Sequence, residues 1–242
     1  MRKDLYQELF EIENNHWWHK HKQAVIHQFV YKYANKGRVL DIGAGTGKML
    51  SDLKAKGWEV SGIDREQEAI KWSKKRGIKL KLADIEKKLP FKKNSFDLIL
   101  ALDVLEHLDK DKNCVKEMNR VLEQNGLIII TVPVYQRLFD YWDKMLGHRR
   151  RYSKNSLRKI IKTNEFKIEF LSYFSMFILI PSVLVRLIKK LFNKTQISDF
   201  QTTPLSFISV PILNFLNKIE RMLLLFTSLP LGLSLICVIR KK

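Results

Sequence analysis

Residues 37–174 alternate short apolar runs with longer stretches whose apolar positions recur every three or four residues. Short runs between turn signals predict buried strands, and the stretches between them predict amphipathic helices. The runs fall at Arg38–Ile42, Trp58–Ile63, Ile78–Leu82, Phe96–Ala101, Leu127–Val132, Phe166–Tyr173 and Gly232–Ile239. Phe96–Ala101 is apolar nearly throughout, as a central parallel strand is. Asn125-Gly126 predicts a helix stop ahead of Leu127, and Pro133 ends that run. Strands spaced by helix-length segments predict an α/β fold, a parallel sheet wrapped by helices with ligands at the carboxyl ends of the strands.

The flanks differ in character. Residues 1–36 read as helical, with Trp18, Val25, Ile26, Phe29, Val30 and Tyr33 at helical spacing. Residues 175–242 are mostly apolar with scattered basic residues. The uncharged run Phe170–Val185 contains Pro181 and is short for a membrane span. Beyond it, Leu184, Leu187, Ile188, Leu191 and Phe192 alternate with Arg186, Lys189, Lys190 and Lys194, the pattern of a helix lying in a membrane interface. The chain thus divides into residues 1–36, a core over 37–174, an apolar helical insertion over 175–229, and a final strand within 230–242.

Composition narrows the function classes. The 242 residues carry a formal net charge of +19, which attracts polyanions, so nucleic acid and anionic membrane both enter as partners. Aromatics at 11% supply a core and argue against a disordered chain. Cys114 and Cys237 lack ligand-like spacing and predict two buried free thiols in a reducing, cytoplasmic compartment. The first residues have no continuous apolar stretch of the secretory kind.

The chemistry begins at Val39-Leu40-Asp41-Ile42-Gly43-Ala44-Gly45-Thr46-Gly47. Glycines at alternating positions let backbone approach a ligand closely. A dinucleotide fingerprint would place its third glycine where Lys48 stands. A phosphate-binding loop would need glycine at Ile42 and Ser or Thr at Met49. Both are excluded. Asp64 ends the second run, where an acid takes ribose hydroxyls, and Asp84 ends the third. Asp97 begins the fourth. Acids in this order suit a ligand with ribose, base and ammonium groups, and would repel a polyphosphate.

These segments, with VLDIGAGTG at 39–47, GID at 62–64, LADIEKKLPFKKNSFDLILALDVLEHL at 82–108 and VLEQNGLIIITVP at 121–133, resemble the class I S-adenosylmethionine-dependent methyltransferases. The pattern is similar to the branch holding ubiquinone-biosynthesis O-methyltransferases and glycan or glycolipid methyltransferases. The resemblance implies a Rossmann-like seven-stranded, mostly parallel sheet with an antiparallel last strand. It also implies an N-terminal helical lid over 1–36, and S-adenosylmethionine as cofactor. It places Asp41, Gly43, Ala44 and Gly45 at the methionine part, and Gly47 where the next helix packs tightly. Asp64 falls on the ribose, with Arg65 beside the adenine, Asp84 and Ile85 at the adenine amino group, and Leu100, Ala101 and Leu102 near the sulfonium.

Three further groups bear on the acceptor. Asp103, Glu106 and His107 share one face if a helix starts there. His107, with Glu106, then reads as a general base. By resemblance to the ubiquinone-type enzymes, Asp103, Glu106 and His107 also read as holders of a divalent cation such as Mg. Past Pro133, His148, Arg150, Arg151 and Tyr152 suit an anionic acceptor, with His148 also a catalytic candidate. Trp17 and Trp18 offer one indole to the core and one to the substrate. The resulting expectation is O-methylation of a lipid-linked, isoprenoid or glycan-type small molecule, at the inner face of the membrane through residues 175–229. Two other readings stand beside it. An RNA-modifying methyltransferase fits the charge, but Leu102–Leu108 lacks the Asn/Asp-Pro-Pro-aromatic motif of amino-directed nucleic-acid enzymes. A non-catalytic cofactor-binding interaction protein is at odds with the intact glycine turn and acids.

Overall fold

The computed structural model describes residues 3–161, 165–184 and 206–242. One sheet organises it, in the order β3-β2-β1-β4-β5-β7-β6. The strands are β1 (Arg38–Ile42), β2 (Glu59–Asp64), β3 (Lys81–Leu82), β4 (Phe96–Leu102), β5 (Leu122–Pro133), β6 (Phe166–Phe174) and β7 (Ser234–Lys241). β7 runs antiparallel between β5 and β6, while β1 to β5 pair in parallel. This is the seven-stranded, mostly parallel fold implied by the sequence.

Strand alternation sends neighbours to opposite faces, and both faces are apolar. On one, Ile99, Ala101, Ile128, Ile130, Cys237 and Ile239 meet α5 (Asp111–Val121) and α7 (Lys154–Ile160). On the other, Leu98, Leu100, Ile129 and Val238 meet α2 (Trp17–Tyr33), α3 (Lys48–Ala55) and α8 (Ser206–Phe226). α1 (Lys3–Ile12) lies on α4 (Gln67–Lys75), with Tyr6 and Phe10 against Trp72. α6 (Tyr141–Leu146) opens with Asp140 in a reciprocal capping box with Asp143. Both cysteines are free and buried.

Two strand expectations change. Ile78 and Leu80 are core residues, but only Lys81 and Leu82 pair, because β3 is an edge strand with β2 as its one neighbour. Asn125-Gly126 does not stop a helix. α5 already ends at Val121, Leu122 pairs with Phe96, and pairing resumes at Leu127 with Leu98. Asn125, at φ 62°, sits in that irregularity.

Gly62 fills a tight place in β2. A Cβ there would lie 2.5 Å from both Leu50 Cδ1 and Leu80 Cδ2. Gly62→Ala is expected to cost about 1–3 kcal/mol by overpacking, read from a denaturation midpoint.

Candidate functional site

The turn after β1 is held by Ile63, whose carbonyl accepts from the Gly43 and Ala44 N–H groups at 2.9 and 3.0 Å. Gly43 has φ 69°, and a Cβ on it would strike Val104 Cγ2 at 2.8 Å. Gly45, at φ 54°, has nothing within 4 Å of where a Cβ would point. The turn therefore presents backbone to open space at Gly45. Gly47, at φ 75°, starts α3.

Asp64 ends β2 beside this turn. Its carboxylate accepts from Gly45 N–H at 2.9 Å and Glu66 N–H at 3.0 Å. Asp41 is buried at the end region of β1. Burial, then the nearby Asp64 charge, pushes the Asp41 carboxyl up to about 8. Burial also raises Asp64, against the pull of its backbone donors. Among the described residues neither acid makes an ion pair, so a ligand bringing positive charge and hydroxyl groups complements them.

The other cofactor candidates separate. Asp84 is partly exposed and accepts from the Glu86 N–H at 3.0 Å, capping its own turn. Ile85 is buried in the core, and Arg65 lies 3.4 Å from Glu66. Leu100 and Ala101 point into the two opposite core faces, and the partly exposed Leu102 packs against the same core as Leu100. Asp97 stands at the amino end of β4 in an ion pair with Arg38 at 2.8 Å, away from the ligand edge.

The segment after β4 departs from the expected helix. Asp103 has φ 54°, and a single 3-10 turn covers Leu105–His107. Among the described residues, Asp103 is not part of the ligating group that holds Glu106 and His107. It accepts from Thr131 Oγ1 at 2.8 Å and pairs with Lys22 of α2. His148 takes the third place instead, and Glu106, His107 and His148 bring ligating atoms within 4.8 Å of one another. Glu106 is fully buried with neither carboxylate oxygen hydrogen-bonded, and burial raises its pKa. His107 Nδ1 lies 3.1 Å from the Gly147 carbonyl, so Nδ1–H donates and Nε2 keeps its lone pair. Burial, then His148, brings the His107 pKa down to about 3, so its imidazole is neutral.

The 147–152 segment is clamped from within. Asp143, almost fully buried, accepts from His148 Nδ1 at 2.8 Å and from Arg151 Nε and Nη2 at 2.9 and 2.8 Å. Arg151 is thus committed to Asp143. Arg150 lies against Asp111 at 3.3 Å and donates to the Leu108 carbonyl at 2.9 Å. Tyr152 is buried, its hydroxyl donating to Asp111 at 2.8 Å. Arg149 pairs with Asp109 at 2.8 Å. Arg149 and Arg150 hold this loop against the 105–111 turn while Arg151 is held by Asp143, and of the four substrate candidates here His148 supplies a ligating atom to the cluster.

The N-terminal helices reach the same edge. Glu13, past the end of α1, is buried and accepts from Thr46 of the glycine turn and from Arg76. Lys22 makes the Asp103 contact described above. Trp17 and Trp18 are both half-buried at the start of α2, edge to face at 6.1 Å, and neither joins a core cluster. Sequence reasoning missed Glu13, Lys22 and Thr131, which act through contacts between distant segments.

The residues present fit S-adenosylmethionine. Gly45 offers a cradle that a Cβ would fill, and Asp41 and Asp64 offer buried negative charge. They do not fit Mg. Two imidazoles and one carboxylate form a nitrogen-rich set, while Mg takes near-octahedral oxygen donors. The expected Asp103–Glu106–His107 set is also not brought together.

A glycine turn between β1 and α3, an acid closing β2 and a polar cluster at the end of β4 define the methyltransferase type of α/β fold. The methyltransferase domain family model matches residues 40–130 of this chain. An S-adenosylmethionine-dependent methyltransferase of Archaeoglobus fulgidus shares the fold, with TM-score 0.59 at 17% identity over 91% of this chain and 92% of that one. An uncharacterised protein of Methanocaldococcus jannaschii is 40% identical over 101 residues, 42% of this chain and 47% of its own length. A ubiquinone biosynthesis O-methyltransferase of Rickettsia canadensis is 26% identical over 146 residues, 51% of this chain and 61% of its own. The matched part spans about half the length of these two relatives.

Proposed function

We propose that this protein transfers the methyl group of S-adenosylmethionine to a hydroxyl oxygen of a small lipid-linked, isoprenoid or glycan-type acceptor. The observation that carries this reading is the neutral, oriented His107 beside buried Glu106 and His148, just past β4. The O-methyltransferase relative supports oxygen as the atom methylated.

When bound, the cofactor supplies a methyl group on a sulfonium, already an excellent leaving group. Asp64 and Asp41 would hold its hydroxyl and cationic parts, and the Gly43–Gly45 backbone would fix its approach. The protein's remaining task is alignment and removal of one proton. His107 Nε2, its lone pair free, would take a hydrogen bond from the acceptor hydroxyl, orient its oxygen and receive its proton. The Gly147 carbonyl keeps the ring in the required tautomer. The Asp143–His148 bond orients the second imidazole against the first, their ring centres 4.8 Å apart.

His107→Ala is expected to lower kcat about 10²-fold through lost orientation of the acceptor hydroxyl, with S-adenosylhomocysteine affinity unchanged. Labelled-methyl transfer to a panel of phenols and polyols of increasing alkyl-chain length provides the assay. An equal loss of cofactor affinity would instead make His107 part of the binding site. Because its pKa is depressed, His107 stays neutral as pH falls from 8 to 6. The wild-type rate should then show no loss from imidazole protonation across that window.

A further inference from the structure

Helix α8 is turned inside out. Its inward side carries Asn217, Glu220 and Leu224, all buried. Glu220 accepts from the Ser175 and Met176 N–H groups at 2.5 and 2.7 Å and lies 3.2 Å from His21. Its outward side carries Ile212, Phe215, Met222 and Phe226, exposed at 57, 63, 56 and 84%. At 100° per residue these four fall within an arc of about 80°, opposite the buried face. A helix on a water-facing surface puts its apolar stripe inward.

The charge around this face has one sign. Within α8 the charged residues are Lys218, Glu220 and Arg221, and the one acid points inward. Lys32 of α2 comes alongside, donating to the Leu225 carbonyl at 2.7 Å. Among the described residues no helix is long and apolar enough to cross a membrane.

We propose that the outer face of α8 rests in the interface of an anionic lipid surface, with Ile212, Phe215, Met222 and Phe226 in the acyl boundary and the basic residues at the headgroups. Charge decides between occupants. A second copy would bring like charges together on a chain of net charge +19, whereas acidic headgroups neutralise them. A polyanion with no apolar layer would leave the four side chains in water. The inference deepens the proposed function: Glu220 ties this helix to Ser175, at the carboxyl end of β6, so the lipid face and the ligand edge of the sheet belong to one framework.

The test is co-sedimentation of the full chain with phosphatidylcholine vesicles, with and without about one-third phosphatidylglycerol. The wild type is expected to partition at least about tenfold more strongly onto the anionic vesicles, and to be released by about 0.5 M salt. The double variant Phe215→Glu/Phe226→Glu should lose at least about tenfold in partitioning while melting normally, since both side chains are already in solvent. Failure of folded wild type to partition, or partitioning unchanged in the variant, overturns the proposal. So does a dimer that the variant dissolves without any vesicle binding. S-adenosylhomocysteine binding in the same samples reports separately on the cofactor site, so the two readings fail independently.

Discussion

Asp143→Ala is expected to destabilise the protein by about 3–5 kcal/mol, because it leaves the Arg151 guanidinium buried without its partner. For a chain of this size that lowers Tm by about 10 °C or more. The effect is large because Asp143 does several things at once. It completes the capping box at the start of α6, holds both nitrogens of Arg151, and orients His148. Arg151→Ala should cost a similar amount, and the double variant much less than the sum, since each single change strands the other partner. The pH sign follows from the same contacts. Burial alone would raise the Asp143 carboxyl, but the hydrogen bonds from His148 and Arg151 hold it well below the usual carboxylate range. Its folded pKa is therefore depressed. Its contribution is complete above the unfolded value of about 4, and is lost as pH falls below that toward the folded one. Thermal melts at descending pH should show the wild type losing this contribution in that window, and Asp143→Ala lacking it throughout. A variant melting within a degree of wild type would refute the clamp.

Asp64→Ala is expected to weaken S-adenosylhomocysteine binding by about a hundredfold, the loss of two charge-assisted hydrogen bonds to hydroxyls. The side chain also accepts from Gly45 N–H, so its removal loosens the turn as well as the contact. Asp64→Asn separates the two roles. It keeps an acceptor for Gly45 and loses the charge, and an intermediate affinity is expected. Affinity equal to wild type in Asp64→Ala would remove the acid from the site.

The division of labour along the chain explains what was readable from sequence. The strands β1, β4 and β6, the antiparallel β7 and the glycine turn are local signals or follow from them, and they stand where their residues place them. Leu100 and Ala101 illustrate the limit. A run of apolar residues does not say which of them meets a ligand, and strand alternation sends both side chains into the core. Asp103 illustrates a second limit. Helical spacing placed it with Glu106 and His107, but its positive φ and its contacts to Thr131 and Lys22 turn it elsewhere. Arg150, Arg151 and Tyr152 looked like an anion site because their acid partners, Asp111 and Asp143, sit on other segments or one helix back. The Asp140–Asp143 capping pair followed by Gly147 was the available signal that this stretch folds back on itself.

The cofactor claim is tested most directly by calorimetric titration of S-adenosylhomocysteine into the wild-type chain. The account predicts saturable binding at one site per chain, present without added metal. Absence of binding to folded protein, with and without anionic vesicles, would contradict it.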